Sequence, residues 1–411
     1  MYLMVIHIPI YTEGDRCYTD VSWQRDLLLA RDWLAEPFGG LAVLSPSLPL
    51  SAVEADAMQP EPIGRDDGIR VIPSFDQRDR LKRTWGAARR RWLDDVNREA
   101  AGAKLIHNSA GEVYRPLWFD AHMAGVRAGV TTVLVGPDMD PHATLTGLRG
   151  RFRCLRFDRV MRQASACADL TLLKEGLVNE RYAPGANNVQ VFCHTMYHDD
   201  DVLNADALER RLATVQPDRR LRAVYGGRFI PRKGLIHAID AVAEARRQGA
   251  EVQYHLFGGG PEEAALRRRA EELGVDDLVV FEGYVEYGPA FIERLAEFDL
   301  LLFTPTEEDT PRMCYDAMAA GLPLVGSAIP FLEHRAKTDR FALLGAIRQA
   351  SPIAELLVRV ARDPELLKGL SRHAREAGVR HSVEHWYERR ARWTRQAAGL
   401  EPADEQPHSH H

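Results

Sequence analysis

The sequence predicts an α/β protein made of two doubly wound domains, and three observations support this fold class. The 411 residues exceed the length of one ordinary domain and suit two of about 200 residues. Short apolar runs rich in Val, Ile and Leu alternate with helical patterns along the chain, which is typical of parallel sheets covered by helices. A charged stretch, 198–220, separates a first series of these units from a second and is interpreted as a hinge region.

The predicted elements follow this alternation in both halves of the chain. In the first half, strands are predicted at 4–10, 41–46, 69–73, 104–108, 131–137, 170–174 and 189–193, and helices at 20–36, 76–101, 115–128, 153–167 and 175–181. In the second half, strands are predicted at 222–228, 254–258, 278–283, 300–305 and 322–327, and helices at 233–248, 261–273, 288–297, 312–320, 351–361 and about 365–399.

Domain boundaries follow from these elements. We predict an N-terminal domain over 1–197 and a C-terminal domain over 198–380. The end of the last helix, 381–400, is expected to pack back on the N-terminal domain, and 401–411 is expected to be a disordered tail.

Composition argues against several classes of protein. The formal net charge of −6 argues against wholesale nucleic-acid binding. Five cysteines, an odd number without a CxxC pair, indicate a reduced cytoplasmic setting. The start MYLMVIHIPIY lacks the basic region and cleavage site of a signal peptide, and no apolar run reaches the length of a membrane span. We therefore expect a cytoplasmic protein with no nucleic-acid partner.

The first strand of the second half ends in a loop suited to an anion. In GGRFIPRKG, Gly226 and Gly227 allow close backbone approach, and Arg228 and Lys233 lie beside the start of the next helix. Ligands of open parallel sheets bind outside the carboxyl ends of the strands, and helix N-termini attract anions. Two cations suit a diphosphate better than a single carboxylate.

Two later loops add to this pattern. LFGGGPEE places Gly258 and Gly259 between a strand and a helix. In TPTEEDTPRMCYDAMAAG a helix beginning near Pro311 can offer the N–H groups of Arg312 and Met313 to a phosphate. Each loop alone could be a tight turn or surface charge. Their occurrence in order at successive strand ends favours a diphosphate site.

These loops resemble a known family. GGRFIPRKG, LFGGGPEEAALRRRAEELGVDDLVVFEGYV and TEEDTPRMCYDAMAAGLPLVGS, within 222–330, are similar to the donor-binding half of retaining GT-B glycosyltransferases of family 4 (glycosyl transferases group 1). The first half is similar only in its order of strands and helices. The resemblance implies two Rossmann-like domains facing across a cleft. The second would bind a nucleoside-diphosphate sugar (a UDP- or GDP-sugar), the first an acceptor hydroxyl, with no metal and no tightly bound cofactor.

The resemblance also implies roles for individual residues. Arg228 and Lys233 would hold the diphosphate, Glu308 the sugar hydroxyls and Asp316 the ribose hydroxyls, while the backbone of FEGYV would read the base. The donor-binding residues would be Gly226, Gly227, Gly258, Gly259, Tyr284, Val285, Thr310, Pro311, Arg312, Met313 and Asp316. Two positions depart from the family pattern: Asp316 replaces a glutamate, and EDTP replaces a glycine-rich EGFG, giving a bulkier and more charged sugar pocket.

The family also has polar residues at strand ends of the first domain, facing the reacting carbon. His107, in KLIHNSAGE, fits one such end, as either a catalytic group or a satisfied structural one. A second family histidine would be expected after TTVLVGP, where this sequence has Asp138, Asp140 and His142. The candidate acceptor-binding residues are Gly14, Asp15, Arg16 and Tyr18, in the loop after the first strand, and Asp138.

Two basic stretches in the first half, 76–96 and 150–163, have two interpretations. They could dock on an anionic membrane or a lipid-linked acceptor, which would place the protein at the inner face of the membrane. Alternatively, the apolar stripe of each faces the core and the cations are solvated. The acidic run 199–201 could similarly be a metal site or a charged hinge, and we favour the hinge.

The sequence therefore predicts a retaining glycosyltransferase of glycan, glycolipid or natural-product glycoside biosynthesis. Its catalytic residues would be Arg228, Lys233, Glu308 and His107, and no protein nucleophile is apparent. A GT-B sugar epimerase and a non-catalytic nucleotide-sugar-binding protein are the alternatives. A nicotinamide oxidoreductase would need GxGxxG after a strand, and GGGPEE lacks it.

Overall fold

The computed structural model describes residues 1–53, 60–81, 85–111, 116–137, 141–145, 147–309 and 311–402. The chain divides into two compact units. The first is Met1–Phe192 together with the residues from Tyr387 onward, and the second is Cys193–Trp386.

The first unit is an α/β structure. Its strands are β1 (Tyr2–Val5), β2 (Ile10–Glu13), β3 (Arg16–Asp20), β4 (Leu41–Pro49), β5 (Pro60–Ile63), β6 (Ile69–Asp76), β7 (Leu105–Ser109), β8 (Thr131–Val135), β9 (Leu170–Lys174) and β10 (Val189–Phe192). Its helices are α1 (Val21–Leu29), α2 (Trp85–Gly102), α3 (Leu117–Ala128), α4 (Pro141–Thr144), α5 (Gly147–Cys167) and α6 (Leu177–Tyr182).

The sheet of the first unit is parallel at its centre and antiparallel at one side. In the order β10-β9-β8-β7-β1-β4, every neighbouring pair is parallel, and β6 also pairs with β4. Beyond β4, strands β2, β3 and β5 extend the sheet, with β3 antiparallel to both of its neighbours. The loop predicted after the first strand is thus a β-hairpin followed by a helix. Its two-residue turn contains Gly14 at φ +58, a conformation that glycine adopts without strain.

The second unit contains the remaining elements, with the last helix passing into the first unit. Its strands are β11 (Leu221–Arg228), β12 (Val252–Gly259), β13 (Val279–Gly283), β14 (Leu300–Phe303), β15 (Leu324–Ser327) and β16 (Ala342–Gly345). The helices are α7 (Ala205–Ala213), α8 (Leu235–Arg247), α9 (Glu263–Glu272), α10 (Pro289–Leu295), α11 (Arg312–Ala319), α12 (Pro330–Asp339), α13 (Ala350–Arg362), α14 (Pro364–Arg380) and α15 (Val383–Ala397).

The sheet of the second unit is parallel throughout, in the order β13-β12-β11-β14-β15-β16. Its strands are apolar runs buried beneath helices, as in β14, where each of Leu300–Phe303 is buried. Because the strands run in one direction, the loops that follow β11, β12, β13 and β14 all leave the same edge of the sheet.

One helical prediction for this part of the chain is wrong, and the hinge stretch contains a helix that was not predicted. The stretch 198–220, interpreted as a hinge, contains α7, which buries Leu208 and Leu212. The single helix predicted over about 365–399 is two helices, α14 and α15. The chain breaks at His381 and Ser382, where the Ser382 hydroxyl accepts a hydrogen bond from the His385 amide at 3.3 Å and caps α15.

Candidate functional site

A cavity of about 610 Å³ lies in the second unit, at the edge where β11, β12 and β13 end and α11 begins. Its lining residues come from four loops that are far apart in sequence. They are Tyr225, Gly226, Gly227, Arg228, Ile230, Arg232, Lys233, Phe257, Gly258, Gly259, Tyr284, Val285, Tyr287, Phe291, Asp309, Pro311, Arg312, Met313 and Asp316.

The cavity contains most of the residues singled out from the sequence. Each predicted donor-binding residue that the structure describes lines it, together with Arg228 and Lys233. Thr310 lies outside the described residues. The convergence follows from the parallel sheet, whose successive loops meet at one edge.

Close backbone packing around the loop after β11 depends on two glycines. Gly234 has φ +64, and a Cβ there would lie 2.0 Å from the carbonyl oxygen of Thr304. Gly258 has φ +118, and its Cβ would lie 2.1 Å from the carbonyl oxygen of Gly227. Any side chain at either position would force these loops apart. Glycine therefore keeps the ends of β11, β12 and β14 in contact.

The two predicted diphosphate-binding cations have different surroundings. Arg228 ends β11 and is exposed, with no ion-pair partner among the residues that the structure describes. Lys233 has a side chain only 13% exposed, and its ammonium forms an ion pair with Asp309. Arg232 contacts the same carboxylate, with 3.1 Å between Nη1 and Oδ1. One carboxylate thus neutralises two cations of the short turn Pro231–Lys233.

Asp316 is a buried acid held by a tyrosine. It lies on α11, is 5% exposed, and accepts a hydrogen bond from the Tyr287 hydroxyl at 3.0 Å. Burial raises the pKa of Asp316 to about 7, although the Tyr287 hydrogen bond and the charge of Arg312 act in the opposite direction. Burial therefore favours the protonated form of Asp316 relative to an exposed aspartate.

An aromatic wall closes one side of the cavity. Phe291 packs between Phe257 and Tyr287, with ring centroids 6.4 and 5.8 Å away. A Cβ on Gly226 would meet both Phe291 Cζ and Met313 Sδ at 3.1 Å, so the wall fits tightly against β11. By contrast, the Tyr284 ring is 84% exposed and presents a free face beside the cavity.

Glu308 does not line the cavity. Its carboxylate faces the N-terminus of α12, with Oε2 3.5 Å from the amide nitrogen of Phe331. A helix N-terminus stabilises a carboxylate through its unpaired N–H groups and macrodipole. The predicted contact of Glu308 with a sugar stays a prediction.

Sequence reasoning missed several lining residues. These are Tyr225, Ile230, Arg232, Phe257, Tyr287 and Phe291. Arg232 stands inside the quoted motif GGRFIPRKG, and its charge was a usable signal. Tyr287 and Phe291 lie just after the FEGYV segment, and only the folded chain brings them to α11.

The structure places His107 inside the first unit. His107 lies within β7, is 3% exposed, and its Nδ1 is hydrogen-bonded to the hydroxyl of Tyr2. Burial, together with the charge of Arg390, lowers the pKa of His107 to about 3, so the imidazole is neutral. Its strand position therefore differs from the predicted strand end. This geometry favours the structural interpretation of the two left open by the sequence.

Another histidine stands closer to the edge of that sheet. His7 follows β1 and Gly111 follows the adjacent strand β7. A Cβ on Gly111 would lie 2.3 Å from Cε1 of His7, so the glycine makes room for the imidazole. The sequence offered a signal for this residue in MVIHIPI, where a histidine ends an apolar run.

Of the candidate acceptor-binding residues, the structure describes those of the β2–β3 hairpin but not Asp138. Gly14, Asp15 and Arg16 are exposed at the tip of the β2–β3 hairpin, and Tyr18 lies on β3. Asp138 lies outside the described residues, as does Asp140. His142 is hydrogen-bonded through Nε2 to Asp158 at 2.9 Å. An acceptor role for any of them stays a prediction.

The two basic stretches differ in which face they bury. In α2, Trp92 and Val96 are fully buried in the core of the first unit and Trp85 packs against it, so that stripe is a core face. In α5 the buried face contains Cys154, Phe157 and Met161. A second apolar stripe points away from it: Leu148, Phe152 and Leu155 are 85%, 70% and 66% exposed.

The acidic run 199–201 forms a short helical turn. Asp201 accepts a hydrogen bond from the His198 amide at 2.8 Å, and Nδ1 of His198 lies 2.6 Å from Oε1 of Glu384. Among the described residues, no three His, Cys, Asp or Glu side chains are grouped to hold a metal ion. None of the described helices combines the length and apolarity that a membrane crossing requires.

Comparison with known proteins gives a family match for the second unit. Residues 209–377 match the family model described as "Glycosyl transferases group 1". The chain is 31% identical over 166 residues to 2-deoxystreptamine glucosyltransferase of Streptomyces kanamyceticus, which is 39% of this chain and 42% of that protein. It is 26% identical over 166 residues to the putative colanic acid biosynthesis glycosyltransferase WcaL of Salmonella typhimurium, covering 41% of that protein. The matched segment thus spans about two fifths of these curated relatives.

A solved structure is similar over nearly the whole chain. The crystal structure of Anabaena Alr3699/HepE in complex with UDP aligns with a TM-score of 0.65 and 14% identity, covering 96% of this chain and 98% of that one. At this identity the likeness concerns the fold. The predicted α/β class of two Rossmann-like domains is confirmed, and it matches GT-B glycosyltransferase structures. The match to the glycosyl transferases group 1 model lies within residues 209–377, which is less than half of the chain.

Proposed function

We propose that the protein is a retaining glycosyltransferase that transfers a sugar from a nucleoside-diphosphate sugar to an acceptor hydroxyl. The observation that carries this proposal is the cavity of the second unit, which brings together Arg228, Lys233, the glycines after β11 and β12, and the start of α11. The family match of residues 209–377 supports the same activity.

The donor diphosphate would lie against the loop after β11 and the N-terminus of α11. Among the described residues no side chain caps the first turn of α11, so its amides are available to a phosphate. Arg228 and Lys233 would offset the charge that develops on the departing nucleoside diphosphate, which is usually the largest catalytic contribution. Its phosphate would take the proton of the acceptor hydroxyl on the face that it leaves, so that the anomeric configuration is retained.

The nucleoside would extend toward Asp316 and the segment after β13. Asp316 would accept hydrogen bonds from the ribose hydroxyls, held in place by Tyr287. The exposed ring of Tyr284 offers an aromatic face for the base. UDP is bound in the similar Anabaena structure, and the Streptomyces relative is named a glucosyltransferase. Both names favour a UDP-hexose as donor.

The acceptor would bind to the first unit. His7 and the hairpin residues Gly14, Asp15, Arg16 and Tyr18 are the candidates there. Relatives named for 2-deoxystreptamine and for colanic acid biosynthesis support a saccharide or a small polyhydroxylated acceptor in glycan or natural-product glycoside synthesis.

Ligand binding and product analysis test this function. Isothermal titration calorimetry with UDP, GDP, UDP-glucose and NADH should detect binding of at least one uridine or guanosine ligand and none of NADH. NMR of the product formed with a mixture of saccharide acceptors should show the anomeric configuration of the donor. A free epimerised sugar would indicate an epimerase. Binding without turnover in any acceptor mixture would indicate a binding protein.

We also propose that α5 docks on an anionic bilayer. Leu148, Phe152 and Leu155 are spaced at four and three residues and so share one helix face. Exposed arginines flank this face, namely Arg149, Arg151, Arg156, Arg159 and Arg162. An apolar stripe between cations suits the boundary between anionic headgroups and acyl chains.

Sedimentation with vesicles tests this docking. The protein should sediment with vesicles made of phosphatidylglycerol and phosphatidylcholine. It should stay in the supernatant when the vesicles contain phosphatidylcholine alone. Replacing Leu148, Phe152 and Leu155 with serine should lower binding about tenfold or more, since each loses exposed apolar area that the bilayer would bury. Arg90→Ser, at an exposed position of α2, is the matched control and should bind as the wild type does. Equal binding of the triple variant contradicts the proposal.

A further inference from the structure

Asp309 is an acid in a cavity otherwise suited to anions. It lines the cavity beside Lys233 and Arg232, and its side chain is only 11% exposed. In the family pattern that the sequence resembles, this position lies in the glycine-rich stretch that EDTP replaces. An acid here needs an explanation, because the other features of the loop favour negative ligands.

The carboxylate has the contacts that a phosphate oxygen would make. The Lys233 ammonium forms an ion pair with it, and Nη1 of Arg232 lies 3.1 Å from Oδ1. A carboxylate and a phosphate present similar charged oxygens to such cations. In the free protein, Asp309 therefore neutralises part of the positive charge that is proposed to hold the donor diphosphate.

A diphosphate placed at Lys233 would be next to this carboxylate. Two negative groups within a few ångströms repel strongly in a half-buried site. The backbone around the turn is fixed by other contacts, because the amide of Thr306 donates to the carbonyl of Arg232 at 3.0 Å and the Thr304 hydroxyl donates to that of Gly234 at 2.8 Å. The side chain of Asp309 is therefore the part that would yield.

We propose that Asp309 is an internal competitor of the donor diphosphate and sets the affinity of the cavity for phosphate-bearing ligands. The ligand must displace the carboxylate from Lys233 and Arg232 before it gains their charge. This inference rests on the proposed function of the cavity and deepens it.

Calorimetry on Asp309→Asn tests the inference. The variant keeps the size of the side chain and removes the charge, so UDP should bind about tenfold more tightly than to the wild type. Uridine has no phosphate and should bind both proteins equally. Glu307→Gln removes the same charge from an exposed neighbour outside the cavity lining, and it should leave UDP affinity within about twofold of the wild type.

Salt dependence gives a second measurement that uses the wild type as well. On binding UDP, the wild type replaces the ion pairs of Lys233 and Arg232 with Asp309 by ion pairs with the diphosphate. Asp309→Asn has no such pairs to lose, so the ion pairs with the diphosphate are a net gain. The UDP affinity of the variant should therefore fall more steeply with sodium chloride. Thermal unfolding without ligand checks that the variant is folded, and Asp309→Ser is a second variant with the same expected result.

Two outcomes overturn the inference. If Asp309→Asn and Asp309→Ser bind UDP equally or more weakly, and uridine is unaffected, Asp309 positions Lys233 instead of competing, and the donor site itself stands. If the wild type and all variants fail to bind any nucleoside diphosphate, the proposed function and this inference both fall.

Discussion

The carboxyl edges of the two sheets show how differently a similar architecture can be used. In the second unit, glycines let the loops after β11, β12 and β14 approach one another, and charged side chains surround a cavity. In the first unit, the histidine that the sequence placed at a strand end is buried against Tyr2. The difference teaches that motif spacing along the chain predicts which loops converge on one cavity. A lone polar residue on a strand carries much less information.

The largest expected effect concerns the cations of the second unit. Lys233→Ala should lower turnover about 10²–10³-fold, because it removes a charge aimed at the leaving group. Arg232 still pairs with Asp309 in this variant, but the Lys233–Asp309 pair is largely buried, so the free energy of unfolding should fall by about 1–3 kcal/mol. Steady-state kinetics and urea unfolding measure both quantities. Wild-type turnover in this variant would contradict the assignment.

The next largest effect is expected in the pH dependence of UDP-glucose binding to the cavity of the second unit. Burial raises the pKa of Asp316 to about 7, and in the proposed site the ionised carboxylate would accept hydrogen bonds from the ribose hydroxyls. UDP-glucose affinity should therefore fall about tenfold per pH unit below pH 7. UDP-glucose is the suitable ligand, because its diphosphate stays fully ionised through this range. Calorimetry at several pH values measures the slope, and Asp316→Asn should make it flat.

Asp316 also makes the free energy of unfolding depend on pH, and the direction is opposite to that of ligand affinity. A carboxyl whose folded pKa is raised contributes stability below its unfolded pKa of about 4, and this contribution is lost as pH rises through about 7. Falling pH thus strengthens the contribution of Asp316 to folding while it weakens binding. A slope of affinity that persists in Asp316→Asn would assign the pH dependence to another group.

The smallest expected effect on turnover concerns the first unit. His107→Ala removes the partner of the Tyr2 hydroxyl and leaves a cavity, so it should lower the free energy of unfolding by about 2–4 kcal/mol. Turnover of the folded fraction should fall less than tenfold, since the imidazole does not reach the sheet edge. Chemical unfolding and kinetics at a temperature where the variant is folded measure the two effects.

Two variants keep this test independent of folding. Tyr2→Phe removes the other half of the hydrogen bond, and its loss of stability should not add to that of His107→Ala. His107→Asn preserves a polar atom near the Nδ1 position and should recover part of the stability. A hundredfold loss of turnover in His107→Asn at unchanged stability would restore the catalytic interpretation.

The second unit was more predictable than the first for a physical reason. Its strands are short apolar runs followed at once by the loops that line the cavity, so Gly226, Arg228 and Lys233 could be placed by local spacing alone. The contacts of Asp309 and Tyr287 were not predictable in this way. Their partners come from loops or helices that meet only in the folded sheet.

Some errors had signals in the sequence. Gly14 and Asp15 lie between two stretches in which polar and apolar residues alternate, and this pattern indicates a hairpin with a two-residue turn. Ser382 is a typical helix N-cap residue. For α5 the sequence is ambiguous, because apolar residues lie on two faces. Packing alone selects the face with Phe157 and Met161 for the core and leaves Phe152 outside.

The most direct test of the account is a crystal structure of the protein soaked with UDP. The account predicts the diphosphate in the cavity of the second unit, within hydrogen-bond distance of Arg228 and Lys233, with the ribose on Asp316 and the Asp309 carboxylate displaced from Lys233. A diphosphate bound elsewhere, with those two cations unoccupied by the ligand, would contradict it.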